Sequence, residues 1–252
     1  MYNPHNHISV VIITYNEEDK IRRTVEAVSV FTDDVVVIDS YSTDSTPAIC
    51  RELNVTFIQQ AWSGYGHQKN TGHAYARYDW ILSIDADEVV SEELSKELKE
   101  LLLDSPSTLY NIPFKTYFCN QLVRFGGWNP QFHVRLFNKK MVEWNTLEVH
   151  ETLHYPEQNS IITLKGSILH YSYDTMEDYL SKSGTYTTLF AERMQARSKR
   201  ATWIKLYLSP SFTFIKEYIF KLGFLDGTLG FKIACLNFNY TKTKYLKLKA
   251  LQ

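Results

Sequence analysis

A chain of 252 residues, 44% hydrophobic and 22% charged, is long enough to bury a sizeable core, which excludes an intrinsically disordered polypeptide. Its three cysteines (Cys50, Cys119, Cys235) lie far apart with no C-x-x-C pair, which speaks against a disulfide framework or a zinc site and fits a reducing compartment. The formal net charge of −1 conceals an asymmetry, because residues 1–175 carry 14 Lys/Arg against 23 Asp/Glu and residues 176–252 carry 13 against 5.

Residues 1–7 hold no basic stretch leading into a long apolar run, and Val10–Ile13 is too short to span a bilayer, so the expectation is a cytoplasmic protein. Ile8–Thr14 is β-branched and apolar at nearly every position, the pattern of a central parallel strand buried on both faces. It ends in Thr14-Tyr15-Asn16-Glu17. Ile21, Val25 and Val28 then recur at helical spacing, and Val35–Ile38 makes a second buried strand closed by Asp39. Ser42-Thr43-Asp44-Ser45-Thr46-Pro47 offers cap residues with proline near the first turn of a helix reaching Leu53, and Val55–Ile58 is a third strand. This β-α-β-α-β order predicts a parallel sheet whose ligand sits at the carboxyl ends of its strands.

A loop follows, Trp62-Ser63-Gly64-Tyr65-Gly66-His67-Gln68-Lys69, in which two glycines let the backbone approach a ligand and Lys69 can reach a phosphate; an ordinary helix start with a solvated lysine is the plainer alternative. The fourth strand, Trp80–Ile84, runs into Asp85-Ala86-Asp87-Glu88. If the chain stays extended, Asp85 and Asp87 point the same way and can face one hard divalent cation, leaving positions for phosphate oxygens. The competing interpretation makes Asp87 and Glu88 acids that lead into the helix starting near Ser91.

From Thr108 to Tyr171 the signals are strand-like, punctuated by Gly126-Gly127-Trp128-Asn129-Pro130 and Val149-His150-Glu151; this half is expected to form the acceptor side of a cleft. Helical spacing returns in three segments, roughly 176–197, 201–221 and 228–246, with Pro210 interrupting the middle one. Lysines and a glutamate break the one apolar stretch that approaches membrane-spanning length. The basic, aromatic tail, with Lys199-Arg200-Ala201-Thr202-Trp203 and Lys242–Lys249, suits an anionic membrane surface or acceptor phosphates. A nucleic-acid-binding module is the non-enzymatic alternative, and the confinement of basic residues to one end, without a recognised binding motif, argues against it.

Taken together, Ser9–Glu17, Val37-Ile38-Asp39-Ser40 with Ser42-Thr43-Asp44, and Asp85-Ala86-Asp87 resemble the family 2 glycosyltransferases with the GT-A fold, over nearly the whole chain. Gly126-Gly127-Trp128, Arg135-Leu136-Phe137, Val149-His150-Glu151 and Gly223-Phe224-Leu225-Asp226-Gly227 further resemble the branch that extends lipopolysaccharide inner cores, such as the heptose β-glucosyltransferases. In that branch glycine is usual after the Asp-Ser pair, where this chain has Tyr41.

The resemblance implies an α/β fold with a GT-A (Rossmann-like) mixed sheet flanked by helices and a C-terminal helical extension. It divides the chain into a nucleotide-sugar-binding half (1–107), an acceptor-side half (108–175) and a basic, aromatic helical extension (176–252). The implied donor is a UDP-sugar, bound by Thr14, Tyr15, Asn16, Glu17, Asp39, Ser40, Gln68, Lys69, Asp85 and Ala86. Asp85 and Asp87, with His150 as a possible third ligand, would hold Mg2+ or Mn2+. An inverting reaction implies one carboxylate as general base, with Glu151 the first choice and Glu148 the second. Trp128 and Asp226 are candidate acceptor contacts, although Trp128 can equally be core and Asp226 an N-cap. The implied acceptor is a glycolipid or lipopolysaccharide core, approached from the cytoplasmic face by a peripheral enzyme. A polyprenyl-phosphate, peptide or cell-wall polymer acceptor would leave the donor half unchanged.

Overall fold

In the computed structural model, which describes residues 7–145 and 152–252, Ile8–Thr14 is strand β1 and is buried along its whole length. The chain continues through α1 (Ile21–Ser29), β2 (Val35–Asp39), α2 (Thr46–Glu52), β3 (Thr56–Gln59), α3 (Tyr65–Tyr75) and β4 (Trp80–Asp85). β1 lies between β2 and β4, parallel to both, and β3 extends the sheet beyond β2. Side chains alternate across it. Val10, Ile12, Val37 and Leu82 join Ile21, Val25 and Val28 of α1 in one apolar cluster, while Val11, Ile13, Val36 and Ile81 join a second. Burial on both faces explains the unbroken apolar runs, each such side chain contributing roughly 1.5–3 kcal/mol.

Register aligns the strand ends. Ile13 faces Asp85 and Thr14 faces Asp39, so three strands deliver their last polar residues to one edge. The chain does not remain extended from Asp85 to Asp87. Ala86 and Asp87 form a turn, the Ala86 N–H donates to the Ile13 carbonyl at 3.2 Å, and a short strand β5 (Glu88–Val90) begins immediately. Glu88 is therefore not a solvated acid ahead of a helix. The helix α4 (Glu92–Glu100) has its own cap, Ser91, whose side chain accepts from the Leu94 N–H.

The remaining strands are β6 (Thr108–Phe118), β7 (Gln121–Leu122), β8 (Gln131–Asn138), β9 (Glu143–Trp144), β10 (Leu153–His154), β11 (Ser160–Thr163) and β12 (Ile168–Tyr173). The principal sheet runs β3-β2-β1-β4-β8-β6-β12-β5, with β7 and β11 on β6, and β9–β10 forms a separate pair. β8 adds antiparallel to β4, which makes the sheet mixed as expected. Glu88 of β5 lies opposite His170 of β12.

The described chain divides into two units, one reaching Phe114 and including Gln131–His170, the other made of Lys115–Pro130 and Tyr171–Gln252. The second contains α5 (Met176–Ala196), opened by a Thr175/Asp178 capping box, α6 (Ser209–Ile215) and α7 (Gly227–Ala250). Pro210 does not interrupt the middle helical run. Wide π turns at Ile204–Leu208 and Lys216–Phe220 flank α6, and the change of pitch just before Pro210 accommodates a residue that lacks an N–H to donate. Among the described residues no helix is long and apolar enough to cross a membrane.

Candidate active site

At the carboxyl end of β4 the first unit buries an unusual density of charge. Lys69, from α3, is 1% exposed and sets its Nζ 3.3 Å from Asp85 Oδ1 and 4.6 Å from the ring centroid of Trp144. Arg135, from β8, lies 3.7 Å from Asp85 Oδ2 and 2.6 Å from Glu88 Oε1, with its guanidinium over the Phe114 ring. The second Glu88 oxygen accepts from the Asp85 backbone N–H at 3.0 Å. Asp87 Oδ2 faces His170 Nε2 at 3.5 Å. Removing such ions from water costs several kcal/mol each, and chains retain them where chemistry requires them.

The charges shape one another. Burial would raise the Asp85 carboxyl, yet Lys69 and Arg135 pull it down to about 2. Burial pushes Glu88 up to about 7; the Asp85 charge adds to this and Arg135 opposes it. For His170 burial disfavours the cation, but Asp87 and then Glu88 and Asp85 outweigh it and raise the imidazole above its ordinary value. Sequence reasoning singled out Lys69, Asp85 and Asp87. It missed the roles of Glu88, Arg135 and His170, although a histidine inside the apolar stretch Ile168-Leu169-His170 was a signal.

Carboxylate and imidazole are donor types that divalent cations take, and Asp85, Asp87 and His170 lie near one another at this edge. Among the described residues no three His, Cys, Asp or Glu side chains form a preassembled metal cage. The reason is visible in the pairing, since Asp85 is directed at Lys69 and Arg135.

The neighbouring edge is a tight loop. Asp39 is fully buried; its carboxylate accepts from the Ser42 backbone N–H and the Gln59 amide, each at 3.0 Å, and from the Ser42 hydroxyl. Asn16, at φ +52°, donates its N–H to Ser42 Oγ and accepts from the Thr43 N–H, and the Glu17 N–H donates to Thr46 Oγ1. Gln68 is also fully buried and donates to Ser40 Oγ at 3.1 Å. Asp39, Ser40, Asn16, Glu17 and Gln68 thus hold one loop together. Tyr15 and Tyr41 stand out from it, 57% and 56% exposed, and the buried Thr14 Oγ1 has no hydrogen-bond partner among the described residues. Tyr41 has φ +61°, a conformation that glycine adopts without strain.

The loop glycines serve the fold. Gly64 precedes α3 with φ +107°, and a Cβ on Gly66 would come within 1.8 Å of the Asn145 carbonyl oxygen. Asn145 and Thr152 clasp each other: the Asn145 N–H donates to the Thr152 carbonyl at 3.0 Å, the Thr152 N–H donates to Asn145 Oδ1 at 3.1 Å, and their side chains also bond. Asn70 fixes the adjoining strand by bonding both the N–H and the carbonyl of Trp144. Glu148, His150 and Glu151 lie outside the described residues.

Trp128 and Asp226 belong to the second unit. Trp128 packs on Phe118 at 5.5 Å between ring centroids and on Tyr173 and Tyr179, as a core residue would. One Asp226 oxygen accepts from the Arg124 and Phe125 N–H groups at 2.8 and 2.9 Å, tying Gly223–Gly227 to the Gly126-Gly127 turn.

A model of glycosyl transferase family 2 matches residues 9–155. An uncharacterized glycosyltransferase of Rickettsia typhi is 28% identical over 97% of this chain and 86% of its own length. The lipopolysaccharide core biosynthesis glycosyltransferase LpsC of Rhizobium meliloti is 27% identical over 84% of this chain and 80% of its own. Among solved structures, S. aureus TarS in complex with UDP superposes with a TM-score of 0.51 at 16% identity, covering 98% of this chain and 92% of that one.

Proposed function

The chain belongs to glycosyl transferase family 2 and is a glycosyltransferase of GT-A fold, and from that premise we propose that it transfers a hexose, glucose first among the candidates, from a UDP-sugar to a lipopolysaccharide core or similar lipid-linked surface glycan. The observation that carries this is the buried Lys69–Asp85–Arg135–Glu88 group beside Asp87 and His170 at the sheet edge. The likeness to LpsC supports the acceptor, and UDP on the fold relative TarS supports the donor.

In this proposal the exposed rings of Tyr15 and Tyr41 flank the base, and the diphosphate lies toward Lys69 and Asp87. Asp85 and Asp87, joined by His170 or by His150, would hold Mg2+ or Mn2+, which when bound neutralises charge on the departing nucleoside diphosphate. Lys69 and Arg135 keep Asp85 ionised and oriented, and Glu88 fixes Arg135 against it. The acceptor hydroxyl oxygen attacks the anomeric carbon as its bond to the diphosphate breaks, and the hydroxyl proton passes to a carboxylate. Glu151 is the proposed base, with Glu148 the alternate. Trp128 and Asp226, the candidate acceptor contacts, are engaged within the second unit, Trp128 with aromatic rings and Asp226 with the Arg124 and Phe125 N–H groups.

Thermal shift with UDP-glucose, UDP-galactose, UDP-N-acetylglucosamine and the GDP- and ADP-sugars, each with and without manganese, tests the donor. The expected result is metal-dependent stabilisation by a UDP-hexose that is lost in Asp87→Asn. Stabilisation by a GDP- or ADP-sugar alone overturns the base assignment. Transfer to a dolichol-like or peptide acceptor, with none to a heptose-containing core, overturns the acceptor.

A further inference from the structure

The second unit carries an apolar surface that its own core does not use. Between residues 203 and 220 two π turns enclose α6, and each takes more than 3.6 residues per turn, so the period of the run moves toward four. Side chains four apart then fall into rows. Leu206, Pro210, Phe214 and Tyr218 form the inward row, with Phe214 and Tyr218 packed on Phe231 of α7. Trp203, Tyr207, Ile215 and Ile219 form an exposed row. Ile204, Leu208, Phe212 and Phe220 form the next, also exposed, with Lys216 between the last two. Trp203, Tyr207, Phe212 and Phe220 are 61–72% exposed, too much large apolar surface in one stripe to be incidental. At ordinary α-helical pitch the same residues would spiral around the helix.

Charge follows the same division. Lys199, Arg200, Lys216 and Lys221 are exposed along the stripe. Glu217, the one acid between residues 199 and 225, is turned inward and bonded to Asn237. By contrast, two of the four lysines in Lys242–Lys249 are engaged within the unit, Lys247 with the Gly184 carbonyl and Thr188, and Lys244 over the rings of Phe190 and Tyr240.

We infer that the 203–225 run is an in-plane membrane anchor, its apolar rows seated among acyl chains of an anionic leaflet and its flanking cations at the phosphates. An aromatic stripe with cations at both ends, one lysine within it and no exposed acid is complementary to such a surface, the inner lysine reaching the phosphates by its long stem. The inference deepens the lipid-linked acceptor reading, since it names the surface on which that acceptor would be met.

Vesicle flotation of the full chain tests it, with phosphatidylcholine alone and with added phosphatidylglycerol, for wild type, Phe212→Ser with Phe220→Ser, and Lys216→Glu with Lys221→Glu. All four positions are exposed, so the variants are expected to fold. Wild type should float with the anionic vesicles and keep part of that binding in high salt. The serine pair should bind about tenfold or more weakly at any salt, and the glutamate pair should lose binding mainly at low salt. Failure of wild type to float, or equal flotation by the serine pair, overturns the inference. So does conversion of a wild-type dimer to monomer by the serine pair without loss of flotation, because a second copy would then cover the stripe. UDP-dependent thermal shift, run on the same samples, reports the donor site separately; its persistence in a protein that does not float would sink the anchor and leave the transferase reading standing.

Discussion

Replacing Lys69 by methionine probes the charge group directly. The substitution keeps most of the aliphatic volume inside the 1%-exposed site and removes the ammonium 3.3 Å from Asp85. Deleting one partner of a buried ion pair costs about 3–5 kcal/mol. Asp85 retains 31% side-chain exposure and a second cation in Arg135, which argues for the lower end. Loss of the cation over Trp144 adds about 1 kcal/mol, and methionine packing returns a similar amount. The expected net is about 3 kcal/mol, or roughly 6–12 °C in Tm for a chain of this size. The informative comparison is Lys69→Met with Asp85→Asn. Neutralising both partners leaves no unpaired buried charge, so the double variant should recover all but about 1 kcal/mol, while sugar transfer stays abolished. Urea unfolding of wild type, both single variants and the double variant gives the coupling energy, and a radiolabelled UDP-sugar assay gives activity. A Lys69→Met protein that melts within about 2 °C of wild type, or strict additivity in the double variant, would refute the argument that this pair is a functional charge held at a cost in stability.

Three further outcomes are expected. Glu151→Gln should lower turnover by about 100-fold or more while donor affinity by calorimetry stays near wild type; near-normal turnover removes Glu151 as the base. Tyr41→Gly should raise stability by up to about 1 kcal/mol by relieving φ +61° and should weaken UDP binding if the ring lies on the base; unchanged UDP affinity takes Tyr41 out of the donor site. Gly66→Ala should destabilise by at least about 2 kcal/mol, because its Cβ would meet backbone 1.8 Å away, whereas Gly184→Ala, with open space around it inside α5, should be neutral or stabilising by up to about 1 kcal/mol; similar melts for the two would show that the Gly66 contact relaxes freely.

What could be read from the chain follows the physics of local pattern. β1, β2 and β4 announce themselves because strands buried on both faces need unbroken β-branched runs, and α1 does so through Ile21, Val25 and Val28. The acids at those strand ends were visible for the same reason. The pairing partners were not. Arg135 reaches Glu88 from 47 residues away, and His170 meets Glu88 only through the antiparallel register of β12 with β5. Local periodicity carries no information about such contacts. The turn at Ala86–Asp87 has neither glycine nor proline to announce it; it places Glu88 with one oxygen on the Asp85 N–H and the other on Arg135, contacts that no local pattern encodes. The π turns were hidden because a four-residue apolar repeat looks irregular against a period of 3.6.

The clasp between Asn145 and Thr152 has an implication for engineering. Its bonds, backbone and side chain together, hold the end of β9 beside the start of β10. Substitutions in the β9–β10 pair should therefore spare Asn145 and Thr152, because each side-chain hydrogen bond lost there removes about 1 kcal/mol and loosens the strand that sets Trp144 over Lys69.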